Sequence, residues 1–358
     1  MEQQHWLNRA AGAEAAITSR HLRPLWRVPG TQLGVVGWPP SRRDRIFGSW
    51  HYWWQAHLLD TLVDAQLRDP DPQRIVRIRR QIRGHRTRNA GRWINQYYDD
   101  MAWLALALER AGRLAGVANP KALLTLRNEL YNSWVPRDGG GIPWRKQDQF
   151  FNAPANGPAG IFLARYGDLA RARQMADWID DTLIDPRTHL VFDGINDGSL
   201  VRAQYTYCQG VVIGLETELA VRTGDQRHAR RVRRLVAAVA EHMAPDGVLR
   251  GGGGGDGGLF AGITARYLTL AANTLPDIED ARAIVLASAD AAWHNRQTVD
   301  GLPLFGARWD SPAQLPVTGG ARARKADGAV HASAVPERDL SVQVSGWMLM
   351  EAAHAAVR

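Results

Sequence analysis

The chain reads as an all-α protein, an (α/α)6 toroid of six helical hairpins. Two observations predict it. Twelve segments show helical periodicity, with almost no strand pattern between them. The connections also alternate in length. Tight junctions such as Gly167-Asp168, Gly224-Asp225 and the one at Asp277 alternate with long loops near 28–47, 88–98, 135–152, 185–204, 244–258 and 297–339. Six hairpins closing into a ring would gather those long loops at one rim. An α-solenoid would need a fixed repeat period, and none is present.

In order, apolar positions such as Leu7, Ala11, Ala15 and Leu22 give a first helix over 3–24, ended by Pro24 and Pro29. A second covers about 48–67 and opens on Trp50-His51-Tyr52-Trp53-Trp54. So many aromatics cannot share one core face, so some must line a cavity or the surface. Asp69-Pro70-Asp71-Pro72 makes a turn into an Arg-rich helix over 73–87. Helix four runs over 99–113, and helix five starts near Pro120 and ends around Trp134-Val135-Pro136. Helices six to eleven fall at about 153–166, 169–183, 205–222, 226–243, 259–274 and 279–296. The segment 297–339, rich in Pro, Gly and charge, reads as a long rim loop or lid. A last helix spans 340–357, and residues 1–358 read as one catalytic domain.

Composition narrows the function classes. Of 358 residues, 45% are hydrophobic and 22% charged, a globular balance. Fourteen Trp outnumber both Tyr and Phe, which suggests flat stacking surfaces as well as core. The net charge is +8, yet only Lys121, Lys146 and Lys325 are Lys. Such Arg dominance reflects a GC-rich genome, and no nucleic-acid-binding motif accompanies it. The basic runs Arg77–Arg80 and Arg230–Arg234 read as solvated helix faces; a third is Arg322-Ala323-Arg324-Lys325. Cys208 is the one cysteine, so no intrachain disulfide forms; it reads as a packing thiol. The polar N-terminus lacks a signal-peptide pattern and no apolar run reaches membrane-span length, so the expected location is cytoplasmic. The histidines show no metal-ligand spacing, and the glycines at 251–255 lack a following Gly-Lys-Ser/Thr. No metal, cofactor or nucleotide is expected.

The chemistry concentrates in the long loops. Asp99 and Asp100 open helix four inside Tyr97-Tyr98-Asp99-Asp100-Met101-Ala102-Trp103. Acidic residues suit a helix start for electrostatic reasons alone. Paired carboxylates among aromatics are also what a glycoside hydrolase needs, an acid beside a nucleophile or base. Two carboxylates in one pocket repel each other, so one keeps its proton at higher pH than usual. Adjacency favours the short separation of a retaining mechanism, about 5 Å. The further candidates for substrate binding are Tyr98, Trp103, Gly140, Gly141, Trp144, Asn152, Asn156, Asp197, Tyr205, Tyr207, Gln209 and Asp256, with Asp193 among the loop polar groups. Glycines at 139–141 would let backbone approach a bulky ligand.

These motifs resemble glycoside hydrolase family 76, the endo-α-1,6-mannanases. The Asp-Asp segment is similar to that family's signature. Gly139-Gly140-Gly141-Ile142-Pro143-Trp144 resembles its Gly-Gly-Gly-Ile-x-Trp loop, and Tyr205-Thr206-Tyr207-Cys208-Gln209-Gly210 its Trp-Thr-Tyr-Asn-Gln-Gly segment. Runs at 257–263, 266–268, 289–293 and 305–309 resemble later landmarks, and the ordered matches span about 47–310. Tyr205 stands for the family's Trp and Cys208 for its Asn. The resemblance implies an (α/α)6 fold and retaining hydrolysis of α-1,6-mannosides, with Asp99 as nucleophile and Asp100 as general acid/base. The implied partner is a mannose-containing oligo- or polysaccharide, such as the mannan of a cell-envelope glycolipid. A transglycosylase, or a glycan-binding toroid without catalysis, is the alternative.

Overall fold

The computed structural model describes residues 2–136, 140–317, 321–326 and 328–358. Among the described residues are twelve long helices, as the periodicity predicts: α1 (Glu2–Arg20), α3 (Tyr52–Arg68), α4 (Pro72–Arg88), α5 (Tyr98–Ala115), α6 (Pro120–Asn132), α7 (Ala153–Tyr166), α8 (Leu169–Thr182), α9 (Thr206–Thr223), α10 (Gln226–Met243), α11 (Phe260–Thr274), α12 (Glu279–His294) and α13 (Leu340–Ala356). A single turn, α2 (Arg42–Arg45), lies in the first long loop.

Six of these form an inner ring. α3, α5, α7, α9, α11 and α13 pack neighbour to neighbour, and α13 closes on α3. Each carries a partner outside it: α4, α6, α8, α10, α12 and, for α13, the chain-initial α1. The inner helices are apolar over most of their circumference, as a doubly covered layer requires. Met101 to Glu109 of α5 is buried without interruption, and nearly all of α13 is buried. Small residues set the spacing of the ring. A Cβ on Gly210 would stand 2.7 Å from the Thr264 Cα, and one on Gly262 2.6 Å from the Ser345 hydroxyl.

The direction of the ring matters most for function. Every inner helix begins at the same end, after a long loop. The ring holds five hairpins and one further pair rather than six hairpins, because no turn joins α13 to the chain-initial α1; the five hairpins turn at the other end. Gly116, Gly167 and Gly224 cap α5, α7 and α9 there in the left-handed conformation, with φ of +66°, +106° and +71°.

Three expectations need correction. The first helix stops at Arg20 rather than near Pro24. Leu22–Arg23 form β1, paired with β2 (Leu33–Gly34), while the Arg20 guanidinium donates to the carbonyls of Val299, Leu302 and Pro303. The long loops also contain more strand than the pattern shows. β3 (Phe150–Asn152), β4 (Gly194–Asn196) and β5 (Ser199–Val201) form one antiparallel sheet. The 297–339 segment holds two hairpins, β6 (Gln297–Val299) with β7 (Leu302–Leu304) and β8 (Arg324–Ala326) with β9 (Ala329–His331). Strands of two or three residues are too short to carry a period. Finally, the basic face of α10 is not simply solvated. Arg231 and Arg234 reach Asp180 of α8, and Arg231 also pairs with Asp177 and Glu216.

Candidate active site

The inner-helix starts surround a cavity of about 350 Å3 at the mouth of the ring. Asp99 and Asp100 form part of its wall. They occupy the first turn of α5, where the free backbone N–H groups and the helix dipole favour anions.

The two carboxyl groups are held differently. Asp99 Oδ2 accepts the Trp144 Nε1–H at 2.9 Å, and Asp99 Oδ1 accepts the Asp100 backbone N–H at 2.8 Å. Asp100 Oδ2 accepts the Asn95 side-chain N–H at 2.5 Å. Burial pushes Asp99 up to about 7, while its two N–H donors pull the other way and nearby Asp256 adds to the rise. Asp100 goes further, well above the carboxylate range, because burial is joined by the charge of Asp99 itself. The pair therefore separates in the manner that acid/base chemistry needs: one group ionises first and its neighbour keeps a proton.

Trp144 reaches Asp99 because its loop is pinned to the start of α5. Tyr98 N–H donates to the Trp144 carbonyl at 2.9 Å, Trp144 N–H donates to Phe150 O at 2.7 Å, and Lys146 N–H donates to Gln96 O at 2.9 Å. Across the cavity, Asp256 accepts the indole N–H groups of Trp53 and Trp54, both at 2.9 Å, and the Val330 N–H at 2.6 Å. Burial raises its pKa against those donors. Asp193 is pushed up to about 6 by burial, with the Cys208 thiol 3.8 Å away as a weak donor.

Aromatic faces complete the wall. Tyr207 stacks on Phe260 with ring centroids 3.9 Å apart and 10° between planes. Tyr205 tilts against the same ring and is 41% exposed, so it offers a free face at the rim. Trp53 lies along Trp103 at 6.4 Å. β8 and β9 supply the remaining side through Lys325, Ala329 and Val330.

Of the sequence candidates, Asp99, Asp100, Trp103, Trp144, Asn152, Asp193, Tyr205, Tyr207 and Asp256 line this cavity. Six others do not. Asn156 is buried and clamps backbone, accepting from Ile142 N–H and donating to the carbonyls of Ile142 and Asn152. Gln209 does the same with Val191 N–H, Val191 O and Tyr205 O. These amides hold the loops that carry Trp144, Asp193 and Tyr205. Gly140 and Gly141, with φ of +113° and +122°, are close to protein rather than ligand: a Cβ on Gly140 would strike Trp134, and one on Gly141 would meet Phe151 and Trp178 at 3.3 Å. Asp138 and Gly139 of that loop lie outside the described residues. Gly140 and Asp197 line a separate hollow beside Trp178. Tyr98 is packed against the core, outside the cavity lining.

The aromatic run at 50–54 does reach a cavity, through His51, Tyr52 and Trp53, as its crowding predicts; Tyr97, Phe150, Phe260 and Lys325, not among the candidates, line it too. The reading of 297–339 as a rim loop or lid fits the position of Lys325, but no motif singled out that residue within it. Among the described residues, no group of His, Cys, Asp and Glu is arranged to hold a metal ion, and no helix is long and apolar enough to cross a membrane.

Residues 11–340 match the model of Glycosyl hydrolase family 76. The chain belongs to that family. This family 76 member is similar over its whole length to solved structures. One is the GH76A α-1,6-mannanase from Salegentibacter sp. HEL1_6, 29% identical, with a TM-score of 0.81 over 97% of this chain and 98% of that one. An inactive variant of that mannanase, with two adjacent aspartates changed to asparagine, is seen in complex with α-1,6-mannotriose; it is 29% identical with a TM-score of 0.82, over 98% and 99% of the two chains. The Lin0763 protein from Listeria innocua is 26% identical, with a TM-score of 0.81 over 97% and 96%. No curated protein sequence matches the chain. Family membership makes the protein a glycoside hydrolase, with the helical toroid of its structural relatives.

Proposed function

We propose that this glycoside hydrolase cleaves α-1,6-linked mannosides with retention of configuration, using Asp99 as nucleophile and Asp100 as general acid/base. The observation that carries the assignment is the unequal holding of two adjacent, half-buried carboxyl groups. Asp99 accepts two N–H donors that favour its ionised form. Asp100 accepts one and sits beside the Asp99 charge, which favours its protonated form. The substrate class follows the related mannanase whose variant, lacking two adjacent aspartates, holds α-1,6-mannotriose.

In the first step Asp100 donates its proton to the glycosidic oxygen as the Asp99 carboxylate attacks the anomeric carbon. The C–O bond to the leaving sugar breaks and a glycosyl ester forms on Asp99. In the second, Asp100, now a carboxylate, takes a proton from water. That water attacks the same carbon from the side the leaving group vacated, and Asp99 is released. Tyr205, Tyr207 and Phe260 offer flat apolar faces for the sugar rings.

The test is incubation with α-1,6-mannotetraose and with a glycolipid-borne α-1,6-mannan. Products are followed by NMR at the anomeric proton and the enzyme by intact mass. The expected result is an α-configured first product, lost in Asp99→Asn and Asp100→Asn. A β-configured first product would rule out retention. An intact substrate would remove the substrate assignment.

A further inference from the structure

The mouth continues to both sides of the cavity. Beyond Tyr205 and Phe260 it runs along Gln204, Gly252 and Arg250. Beyond His51 and Lys325 it opens into a second cleft, of about 350 Å3, between the first long loop and the β8–β9 hairpin. That cleft is strongly basic. Its two carboxylates are both engaged: Asp44 accepts from Arg338 at 2.7 Å, and Asp339 accepts the Gly255 N–H at 2.8 Å and the Ser333 hydroxyl at 2.5 Å. Arg43, Arg322, Arg324 and Lys325 remain, none of them in an ion pair among the described residues. Lys325 instead stands over the Tyr97 ring at 4.8 Å.

His51 sits at the passage between the two spaces and lines both. Its backbone has φ +47°, unfavourable for a bulky residue, so the fold forces this orientation. Its Nε2 is buried with no hydrogen-bond partner among the described residues. Burial, and then the charge of Lys325, pushes its pKa down to about 4, so the ring is neutral. A neutral imidazole with one unpartnered buried nitrogen is ready for a ligand oxygen or hydroxyl.

We infer that this cleft is a subsite for a phosphate ester carried by the glycan, bound by Arg322 and Arg324 with Arg43 and Lys325 around it, while the sugar chain passes His51 into the catalytic cavity. Uncompensated guanidinium groups suit phosphate oxygens through charge-assisted hydrogen bonds. The inference rests on the glycosidase reading, and the experiment separates the two.

Full-length wild type and the Arg322→Ala/Arg324→Ala double variant are compared on α-1,6-mannotetraose and on the same sugar bearing a phosphomonoester or a methyl phosphodiester at either terminal residue. The readout is the ratio of kcat/KM, phosphorylated to neutral. The expected wild-type ratio is about tenfold for one of the phosphorylated sugars, shrinking with added salt. It falls to about one in the double variant, whose folding is checked by circular dichroism. Preference for the monoester identifies a terminal phosphate; equal use of the diester identifies a bridging phosphate such as a lipid headgroup. A wild-type ratio near one for every phosphorylated sugar overturns the subsite, as does a preference that the double variant keeps. If the wild type cleaves none of these sugars, the mannosidase reading fails by itself. The subsite is then judged by calorimetric titration with inorganic phosphate: binding lost in the double variant supports it, and no binding to the wild type overturns it.

Discussion

The two ends of the ring treat buried aspartates in opposite ways. At the mouth, Asp99 and Asp100 have no ion-pair partner among the described residues, and burial drives both upward. At the far end, Asp60 on α3 is more deeply buried than the half-buried pair at the mouth, yet its pKa is lowered. Burial pushes it up, but Arg110 and Arg266 outweigh that. Arg110 binds Asp60 and also Asp64 at 2.5 Å, while Arg266 binds both carboxylates at 2.5 Å. The far end carries the free carbonyls of the inner helices, where cations are favoured. It is a neutralised, structural end. Glu351 marks its limit: it shares Arg68 with Glu14, and burial takes it up to about 7. Burial alone does not make a reactive carboxyl group; burial without a cation does.

Swapping the treatment of the two ends gives the largest expected effects. Asp99→Asn and Asp100→Asn should each lower kcat by about 10³-fold or more, by steady-state assay. They should not lower the melting temperature, because each removes a half-buried carboxyl group that no cation compensates. The pH dependence of that change is also signed. The folded-state pKa of Asp99 is raised from 3.8 to about 7, so its favourable contribution is complete below 3.8 and is lost as pH rises to about 7. Asp99→Asn should therefore raise the melting temperature more at pH 8 than at pH 4. Asp60→Asn should do the reverse at the other end. It leaves Arg110 and Arg266 to share Asp64 alone and should cost about 2–3 kcal/mol in denaturant unfolding, with kcat of the folded fraction kept.

Smaller changes sharpen the contrast. Trp144→Phe removes a donor to the Asp99 carboxylate worth about 1.5–3 kcal/mol. Its kcat/KM should fall about tenfold or more. In the wild type kcat/KM should rise with pH as Asp99 ionises near 7, then fall as Asp100 loses its proton; Trp144→Phe should move the rising limb to higher pH. An unmoved limb would show that the indole does not tune Asp99. The mildest is Tyr205→Ala at the exposed rim, expected to raise KM several-fold, by about 1 kcal/mol, with little change in kcat.

The ring was legible because its signals are local. Helical period, tight glycine junctions and rich loops follow one another along the chain, and the Asp99-Asp100 pair opens the helix after one such loop. What the sequence hid is long-range. Asn156 and Gln209 look like ligand-binding amides, but both spend their hydrogen bonds on neighbouring backbone. Gly140 looks like a place for a ligand to approach, but the indole of Trp134 fills that space. Lys325 lies more than two hundred residues from Asp99, and only folding of a short hairpin brings it to the mouth.

The one-sided direction of the inner helices has a consequence for change over time. Every long loop lies around the mouth of the ring, and the tight turns lie where the ring is fastened by arginines. An insertion at the mouth can therefore alter which glycan fits without touching ring closure, whereas the same insertion between α7 and α8 or between α9 and α10 would displace a glycine-capped turn. Variation is channelled to one face, so this scaffold can exchange specificities while keeping its frame.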